Sequence, residues 1–415
     1  MTKRRRAADK GTATKTQNST YDGLLLAVVV VLLIYGLLAL FSATFYVGYG
    51  YWKRQLVWVA VSAVVGFVLY RIPYPMWQKL ALGMMGINLV LLLITVVFAR
   101  PVFGASRGLV DLSESSRDVG SLFGIGSSIQ PGVLARLVAV VYIAAWLSSK
   151  GEQLNQVKYG LLPFGFIVGL VGGLVMLQPD LSTALLIVVT GIAMFFFAGG
   201  DPAQIFISIL TGGATFGLLA WNMRHARERL ELYLASLTDP TKMPYHVHRS
   251  VQAISEGGII GKGLGYGRLK FGYLPFPWTD SIFAVIGEET GLIGCLLVLA
   301  LFIFFAVRGY RIALSTPDPF GSLVAFGLTT MILSEALLNI LVMIGLFPPT
   351  GTALPFFSYG GTEMLMTLAG VGLLLGISRG RPKGDWDAIL DRWWRDGWAR
   401  LPGAGRRSGF ARHRS

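Results

Sequence analysis

Seven charged side chains of this chain lie inside or beside long apolar runs, where an isolated charge is costly. They are Asp180, Asp280, Glu288, Glu289, Glu335, Glu363 and Arg136. An ionised side chain in such surroundings generally faces a cavity or an opposite charge. A carboxylate held there can act as a general base or bind a cation, and an arginine or lysine can bind phosphate. These residues are therefore the first candidates for chemistry.

Asp280 is the strongest of these candidates. It follows the segment Pro275–Thr279 and precedes an apolar run that begins at residue 281. A carboxylate at that place can remove a proton from a substrate or bind a metal ion. The alternative is a structural role, because Thr279 or Asp280 could cap the following helix, whose dipole stabilises a carboxylate at its start.

A glycine-rich segment, residues 256–270, precedes Asp280 and could bring a ligand close to the backbone. Six glycines fall within eleven of its residues, and glycine permits a close approach between backbone and ligand. Lys262, Arg268 and Lys270 belong to this segment and could bind phosphate oxygens. No alternation of strand and helix patterns surrounds the segment, so a nucleotide-binding loop is not favoured.

The other charged candidates each have a structural alternative. Glu288 and Glu289 lie two helical turns beyond Asp280, about 12–13 Å deeper at 1.5 Å per residue. A buried ion pair or a backbone contact is therefore expected for both before direct chemistry. Arg136 could bind an anion or extend along apolar surface to water at a helix end. The turn Gln178–Asp180 either lines the same cavity as Asp280 or is purely structural.

The composition predicts that membrane-spanning helices position these residues. Of 415 residues, 53% are hydrophobic and 14% are charged, and the mean hydropathy is +0.61. Soluble globular proteins have about 25% charged residues, so an all-α polytopic membrane protein is predicted.

The single cysteine, Cys295, excludes an internal disulfide framework. The net charge of +14 lies mainly in the two tails, which favours contact with membrane lipids over nucleic acid.

Ten apolar runs have about the length that crosses a bilayer. They cover residues 22–46, 55–71, 79–99, 133–149, 159–177, 181–199, 203–221, 281–307, 320–347 and 362–378. The Gln178–Asp180 turn separates the fifth run from the sixth, and residues 308–319, with Arg308 and Arg311, separate the eighth from the ninth. No repeat of roughly 20–50 residues is evident, so a solenoid or propeller is excluded.

The distribution of basic residues predicts which loops lie outside the cell. If the basic tail 1–21 is cytoplasmic, most short basic loops and the tail 381–415 are cytoplasmic as well, as the positive-inside rule requires. The loops 99–132, 222–279 and 347–361 then lie on the outer face. Most polar and glycine-rich segments thus collect on one side of the cytoplasmic membrane, where the working site is expected.

One membrane domain, residues 22–380, is therefore predicted between two basic cytoplasmic tails. Its large outer loop joins the seventh helix to the eighth and contains the glycine-rich segment. In the C-terminal tail, tryptophans at helical spacing between residues 386 and 398 predict a helix on the membrane surface, with a disordered tail as the alternative.

Four segments together resemble the SEDS family (shape, elongation, division and sporulation), which includes the FtsW, RodA and SpoVE proteins of bacterial wall synthesis. They are Gln178–Ala184, Ile254–Lys270 followed by Tyr273–Pro275, Thr279–Gly291 and Pro349–Gly361. The resemblance implies a ten-helix peptidoglycan glycosyltransferase that polymerises lipid II into an undecaprenyl-linked glycan. It also implies a class B penicillin-binding protein, a transpeptidase, as partner.

The resemblance further implies roles for individual residues. Asp280 matches the family's essential aspartate, which would act as general base or bind a divalent cation, Mg²⁺ or Mn²⁺; no organic cofactor is expected. Lys270 and Arg136 would neutralise the leaving pyrophosphate. Further substrate contacts are expected from Lys262, Arg107, Gln178, Asp180 and Ser358, and structural or pKa-tuning roles from Glu288, Glu289 and Thr279.

The sequence departs from the family pattern near the candidate site. Phe276 and Trp278 stand where a glutamate and a histidine usually precede the threonine–aspartate pair, and Val133 stands in place of a glutamate. The family's arginine in the first long outer loop corresponds to either Arg107 or Arg117. These changes affect the expected contacts with substrate, whereas the aspartate itself is retained.

Residues 245–250 replace the family pattern Tyr-Gln-x-x-Gln-Ser with Tyr-His-Val-His-Arg-Ser. His246 and His248 could bind a metal, although a solvated pair is the expectation.

The sequence leaves division and elongation open as biological roles. A lipid II flippase and a non-catalytic scaffold are the alternative functions. Transporters typically contain inverted repeats and paired broken helices, and the sequence suggests neither.

Overall fold

The computed structural model of the protein describes residues 21–98 and 130–379. These residues form α-helices, two short 3-10 helices and loops, with no strand among them. The α-helices are Gly23–Thr44 (α1), Gly50–Arg71 (α2), Tyr74–Phe98 (α3), Pro131–Lys150 (α4), Leu161–Met176 (α5), Leu181–Phe197 (α6), Pro202–Asn222 (α7), Arg224–Thr238 (α8), Tyr245–Gly257 (α9), Ile282–Ser315 (α10), Pro319–Met343 (α11) and Gly361–Ser378 (α12). The predicted all-α membrane fold is confirmed.

The described helices include a counterpart for each predicted span. Eight are long and apolar enough to cross a membrane, and α5 and α6 are apolar but shorter, with 16 and 17 residues. The turn between α5 and α6 ends at Asp180, whose carboxylate accepts a hydrogen bond from the backbone N–H of Thr183 and caps α6. The amphipathic helices α8 and α9 lie in the long loop between the seventh span and the eighth.

The C-terminal part of α10 differs from the prediction. Residues 308–315 were expected to form a loop, but the helix continues to Ser315. Arg308 is accommodated because its guanidinium pairs with the carboxylate of Asp22 at 2.5 Å, at the start of α1. The helix stops before Thr316, which precedes Pro317, because the residue before a proline is disfavoured in the helical conformation.

The helices run back and forth, so their connections collect at two ends of the bundle. At one end the backbone N–H of Asp22 donates to the hydroxyl of Ser378 at 3.1 Å, which joins the start of α1 to the end of α12. The opposite end carries residues 223–281 and 344–360, and we call it the loop end. Two of the predicted outer loops therefore share one end, where the first turn of α6 also contacts residues 344–360.

Helices α2 and α12 pack with their backbones in close approach. A Cβ atom on Gly372 would meet the backbone of Gly66, and one on Gly66 would meet the carbonyl of Leu368. Small residues allow such approaches and are common where membrane helices pack. At the start of α12, the indole of Trp58 occupies the space that a side chain on Gly361 would need. This packing fixes α2 beside residues 344–360.

We expect Gly372→Ala to destabilise the protein by about 1–3 kcal/mol, because the added methyl group has no space against α2. Gly169→Ala in α5 is the matched control, since no atom lies within 4 Å of its Cβ position. Alanine is the better helix former, so the control should unfold at the same or a higher temperature. Thermal unfolding in detergent measures both. Equal unfolding temperatures for the two variants would contradict this account of the α2–α12 contact.

Candidate active site

Asp280 stands directly before α10 at the loop end, on a backbone that neighbouring side chains fix. The hydroxyl of Ser358 donates to the carbonyl of Thr279 at 2.7 Å. The amide of Asn339, from α11, donates to the carbonyl of Asp280 at 2.8 Å. Asp280 is half-buried. Its carboxylate is therefore presented from a rigid segment and is accessible in part.

Ser358 is predicted as a substrate contact, but protein groups already use its hydroxyl. The hydroxyl oxygen accepts from the backbone N–H of Leu354 at 2.7 Å while it donates to Thr279. The carbonyl of Ser358 accepts from the side-chain amide of Gln55 in α2 at 3.2 Å. Ser358 is buried, and its hydrogen bonds connect residues 344–360 to residues 279–281, which we call the Asp280 segment. Its contact with substrate stays a prediction.

An aromatic cluster holds Trp278, which stands where the family usually has histidine. The ring of Tyr51 stacks on Trp278 with 5.0 Å between centroids and meets Tyr359 edge-on at 5.2 Å. The backbone N–H of Tyr359 donates to the carbonyl of Trp278 at 2.8 Å. Trp278 thus connects the residues before Asp280 to the start of α2 through its ring and to residues 344–360 through its carbonyl.

Asp180 and Asp280 both lie beside the loop of residues 344–360. The hydroxyl of Ser182 lies 3.0 Å from the Asp180 carboxylate and 3.3 Å from the carbonyl oxygen of Thr350. On the other side, a Cβ atom on Gly351 would lie 3.3 Å from Oδ2 of Asp280. Thr350 therefore lies near Asp180, and the next residue, Gly351, lies near Asp280. Because Gly351 has no side chain, there is room beside the Asp280 carboxylate.

Two further predicted substrate contacts, Gln178 and Arg107, stay predictions. The side-chain amide of Gln178 is buried and donates to the carbonyl of Leu92 in α3 at 3.1 Å, so it holds the Gln178–Asp180 turn. Arg107 and its alternative Arg117 lie outside the described residues, as does the segment 386–398.

Arg136 lies buried between two acidic side chains. Its guanidinium is 2.5 Å from the carboxylate of Glu335 and also pairs with the carboxylate of Glu363. The side chains of Arg136 and Glu335 are 5% and 4% exposed, and that of Glu363 is 25% exposed. The alternative of an arginine that extends to water at a helix end is therefore wrong. The guanidinium thus joins α4, α11 and α12.

We expect Arg136→Lys to lower the unfolding temperature by roughly 1–3 °C, equivalent to about 1–2 kcal/mol for a chain of this length. A lysine keeps one positive charge but cannot hold two carboxylates with the planar fork of a guanidinium. Arg224→Lys is the control, because Arg224 belongs to an exposed ion pair on α8 and should leave the unfolding temperature unchanged. The account fails if the Arg136→Lys protein unfolds at the wild-type temperature.

Glu288 holds the glycine-rich segment through backbone and side-chain contacts. Its carboxylate accepts from the backbone N–H of Arg268 at 2.7 Å and of Leu269 at 3.2 Å. The ammonium of Lys262 lies 3.0 Å from the same carboxylate and 2.5 Å from that of Glu256. Glu288 is fully buried. The backbone contact expected from the sequence is present, and it fixes the segment that leads to Asp280.

Lys270 and Glu289 form a second, fully enclosed ion pair. The ammonium of Lys270 is 2.5 Å from the carboxylate of Glu289 and 3.0 Å from the hydroxyl of Ser42 in α1. It also donates to the carbonyl of Gly265 at 3.1 Å. The side chain of Lys270 is 0% exposed. Its predicted contact with phosphates stays a prediction, and that contact requires this pair to open.

The glycine-rich segment also pairs with the backbone of α10, which is broken at Gly291 (φ 66°, ψ −163°). The carbonyls of Glu288 and Glu289 accept from the N–H groups of residues 262 and 263 at 3.0 and 2.9 Å. The N–H groups of Leu292 and Ile293 donate to the carbonyls of residues 258 and 259 at 2.9 and 3.2 Å. Only glycine adopts this backbone conformation readily.

The described residues contain no group of three or more His, Cys, Asp or Glu side chains that could hold a metal ion. Nε2 of His246 is 2.6 Å from the hydroxyl oxygen of Ser281, and His248 is exposed. The predicted divalent cation beside Asp280 stays a prediction.

Three residues of this site were missed by sequence reasoning: Ser42, Gln55 and Tyr51. Ser42 contacts both Lys270 and Glu289. Ser42 is one small polar residue near the end of the apolar helix α1, and Tyr51 and Gln55 lie in the aromatic and basic first turns of α2. Their partners are distant in the chain, so the sequence carries no local signal for these contacts.

Sequence comparison places the chain among bacterial cell cycle proteins. The model of the FtsW/RodA/SpoVE family, described as cell cycle protein, matches residues 22–383. Stage V sporulation protein E of Bacillus subtilis is 36% identical over 372 residues, which cover 88% of this chain and 98% of that protein. A probable peptidoglycan glycosyltransferase FtsW of Geobacter metallireducens is 34% identical over 365 residues, 86% of this chain and 94% of that protein.

Solved structures agree with the sequence comparison. The rod shape determining protein RodA of Thermus thermophilus superposes with a TM-score of 0.65 at 26% identity, covering 88% of this chain and 98% of that one. A chain from a study of the structural coordination of polymerization and crosslinking by a peptidoglycan synthase complex gives a TM-score of 0.70 at 26% identity, with 88% and 99% covered. The protein thus belongs to the FtsW/RodA/SpoVE family, whose motifs the four segments resemble.

Proposed function

We propose that this protein is a peptidoglycan glycosyltransferase that polymerises lipid II, a disaccharide-pentapeptide on undecaprenyl pyrophosphate. Relatives that are named for this activity support the proposal. The observation that carries it is the setting of Asp280. A half-buried carboxylate is presented at the loop end from a backbone fixed by Ser358 and Asn339. Such preorganisation suits a group that must meet a reacting hydroxyl.

In the proposed reaction Asp280 acts as the general base. It accepts the proton of the acceptor sugar's 4-hydroxyl while that oxygen attacks the anomeric carbon of the donor sugar. The bond from the anomeric carbon to the pyrophosphate oxygen breaks, and undecaprenyl pyrophosphate leaves with the bonding electrons. Attack from the opposite face inverts the configuration at the anomeric carbon. A positioned base contributes about 10²–10⁴-fold to such a step.

The leaving pyrophosphate requires positive charge nearby, and the protein supplies several basic groups. We include Lys270 and Arg136 in this role, although each must exchange a carboxylate partner for phosphate oxygens. Lys262 is the more accessible, because its side chain is 26% exposed. A Mg²⁺ or Mn²⁺ ion held by Asp280 and the pyrophosphate would supply the same neutralisation.

We further propose that the loop end faces outward from the cytoplasmic membrane and that both termini are cytoplasmic. The Arg308 end of the bundle and the basic tails then lie on the cytoplasmic side, as the positive-inside rule favours. A class B penicillin-binding protein is the proposed partner, because cross-linking must follow polymerisation. The similarity to a chain from a peptidoglycan synthase complex supports this partnership.

The proposal is tested by incubating purified protein with lipid II in detergent, with and without the partner transpeptidase, and separating the products by gel electrophoresis. We expect glycan strands in the presence of the partner, in amounts that depend on Mg²⁺ if the cation takes part. A flippase would instead move labelled lipid II across liposomes without polymer. A scaffold would do neither but would still bind the transpeptidase, so either result contradicts the proposed function.

A further inference from the structure

His246, in the first turn of α9, contacts the residue that follows Asp280. Its Nε2 atom lies 2.6 Å from the hydroxyl oxygen of Ser281, which is fully buried. Helix α9 is fixed on α10 at its other end, because a Cβ atom on Gly257 would meet the backbone carbonyl of Gly287. The close approach of the two helices therefore gives the imidazole a defined position.

The protons available decide the direction of this hydrogen bond. The hydroxyl of Ser281 has one proton, and it donates to the carbonyl of Pro275 at 2.7 Å. Its oxygen is therefore the acceptor in the contact with His246, and the hydrogen-bond network assigns a proton to Nε2. Burial, together with the positive charge of Arg229, lowers the pKa of His246. The ring is thus neutral near pH 7, and Nε2–H is present in the charged form as well.

Ser281 occupies the N-cap position of α10 without capping it. A serine there usually accepts from a backbone N–H of the first turn, but the Ser281 hydroxyl makes no such bond. It joins the Asp280 segment to α9 instead. Residues 279–281 are consequently held one after another by Ser358, Asn339 and His246, which come from three different parts of the chain.

We propose that His246 is a positioning residue of this site, which fixes the backbone of Asp280 through Ser281 by donating the Nε2–H hydrogen bond. The inference rests on the proposed function, since it concerns how Asp280 meets the substrate hydroxyl. Glutamine, which the family pattern has at this place, also presents a side-chain N–H donor. The relevant property is therefore the donor and not the titration of the ring.

Kinetics of three variants test the proposal. His246→Ala removes the donor, and we expect it to lower kcat about tenfold with KM within about twofold, because a small displacement of a reacting group is costly. His246→Gln keeps a donor and should recover kcat to within about threefold of wild type. His248→Ala, on the exposed side of the same helix, is the matched control and should behave as wild type.

A second readout does not depend on activity. Hydrogen–deuterium exchange of residues 276–286 should be faster in His246→Ala than in wild type and should return to the wild-type rate in His246→Gln. If wild type makes no polymer but this exchange pattern appears, the proposed function has failed while the anchoring role stands. Unchanged exchange in His246→Ala, or a His246→Gln protein as impaired as His246→Ala, overturns the positioning role.

Discussion

Asp280→Asn is expected to lower the rate of lipid II polymerisation by at least about a hundredfold, because loss of a general base costs roughly 10²–10⁴-fold. The asparagine amide has the size of the carboxylate but cannot accept a proton from the acceptor hydroxyl. The hydrogen bonds that fix this segment involve the backbone carbonyls of residues 279 and 280, so the fold should be retained. The measurement is the initial rate of glycan formation with the transpeptidase present, alongside the unfolding temperature.

Asp239→Asn is the matched control for this result. Asp239 belongs to the same long loop, but its side chain is 40% exposed and pairs with Lys242 at the surface. We expect the control to polymerise lipid II at the wild-type rate. A correctly folded Asp280→Asn protein that retains wild-type activity would remove Asp280 from its role as the base. Wild-type protein that is inactive beside its transpeptidase would instead point to transport or scaffolding.

The second large effect is expected at the enclosed pair of Lys270 and Glu289. Lys270→Met leaves an unpaired buried carboxylate, and loss of one partner of a buried ion pair costs on the order of 3–5 kcal/mol. Glu289→Gln leaves the lysine charge in the same position. The double variant Lys270→Met/Glu289→Leu removes both charges and should be more stable than either single variant. Thermal unfolding in detergent compares the set with wild type.

The same set of variants separates a structural role of Lys270 from a role in binding phosphate. If Lys270 only anchors the glycine-rich segment, the double variant should recover a large part of the stability and activity that Lys270→Met loses. Lys262→Met is the control for stability, because the Lys262 side chain is 26% exposed and its loss should lower stability much less. A Lys270→Met protein with a normal unfolding temperature and no activity would show that the ammonium acts on the substrate.

The order of the long apolar helices among the described residues could be predicted from the sequence because each corresponds to a run of mainly apolar residues. The loop predicted at 308–319 was wrong for most of its length, since α10 extends to Ser315. Two arginines suggested a boundary, but Arg308 lies opposite the Asp22 carboxylate. That partner is 286 residues away in the chain, and no local pattern reveals it.

The candidate site was predictable in its residue types but not in their partners. Asp280 was identified because a carboxylate precedes an apolar run and follows a glycine-rich segment. The sequence equally suggested that Lys270 and Arg136 were available for phosphate, whereas both are buried in ion pairs. Which carboxylate neutralises which base depends on how helices distant in sequence pack. For Lys270 that contact includes Ser42, which is 228 residues away.

The break in α10 at Gly291 involves the same backbone groups that a continuous helix would pair internally. An unbroken helix would join the carbonyl of Glu288 to the N–H of Leu292, and that of Glu289 to the N–H of Ile293. In the bent helix these four groups bond to the glycine-rich segment instead. The segment thus supplies the partners that the break removes, so none of these four groups is unpaired in apolar surroundings.

Docking of the glycine-rich segment is therefore an exchange of hydrogen-bond partners for α10. The break and the segment depend on each other, because the bent helix without the segment would leave these four backbone groups without partners. The ion pairs of Lys262 with Glu288 and of Lys270 with Glu289 add to the same attachment. The segment before Asp280 and the helix after it are therefore one hydrogen-bonded unit around Gly291.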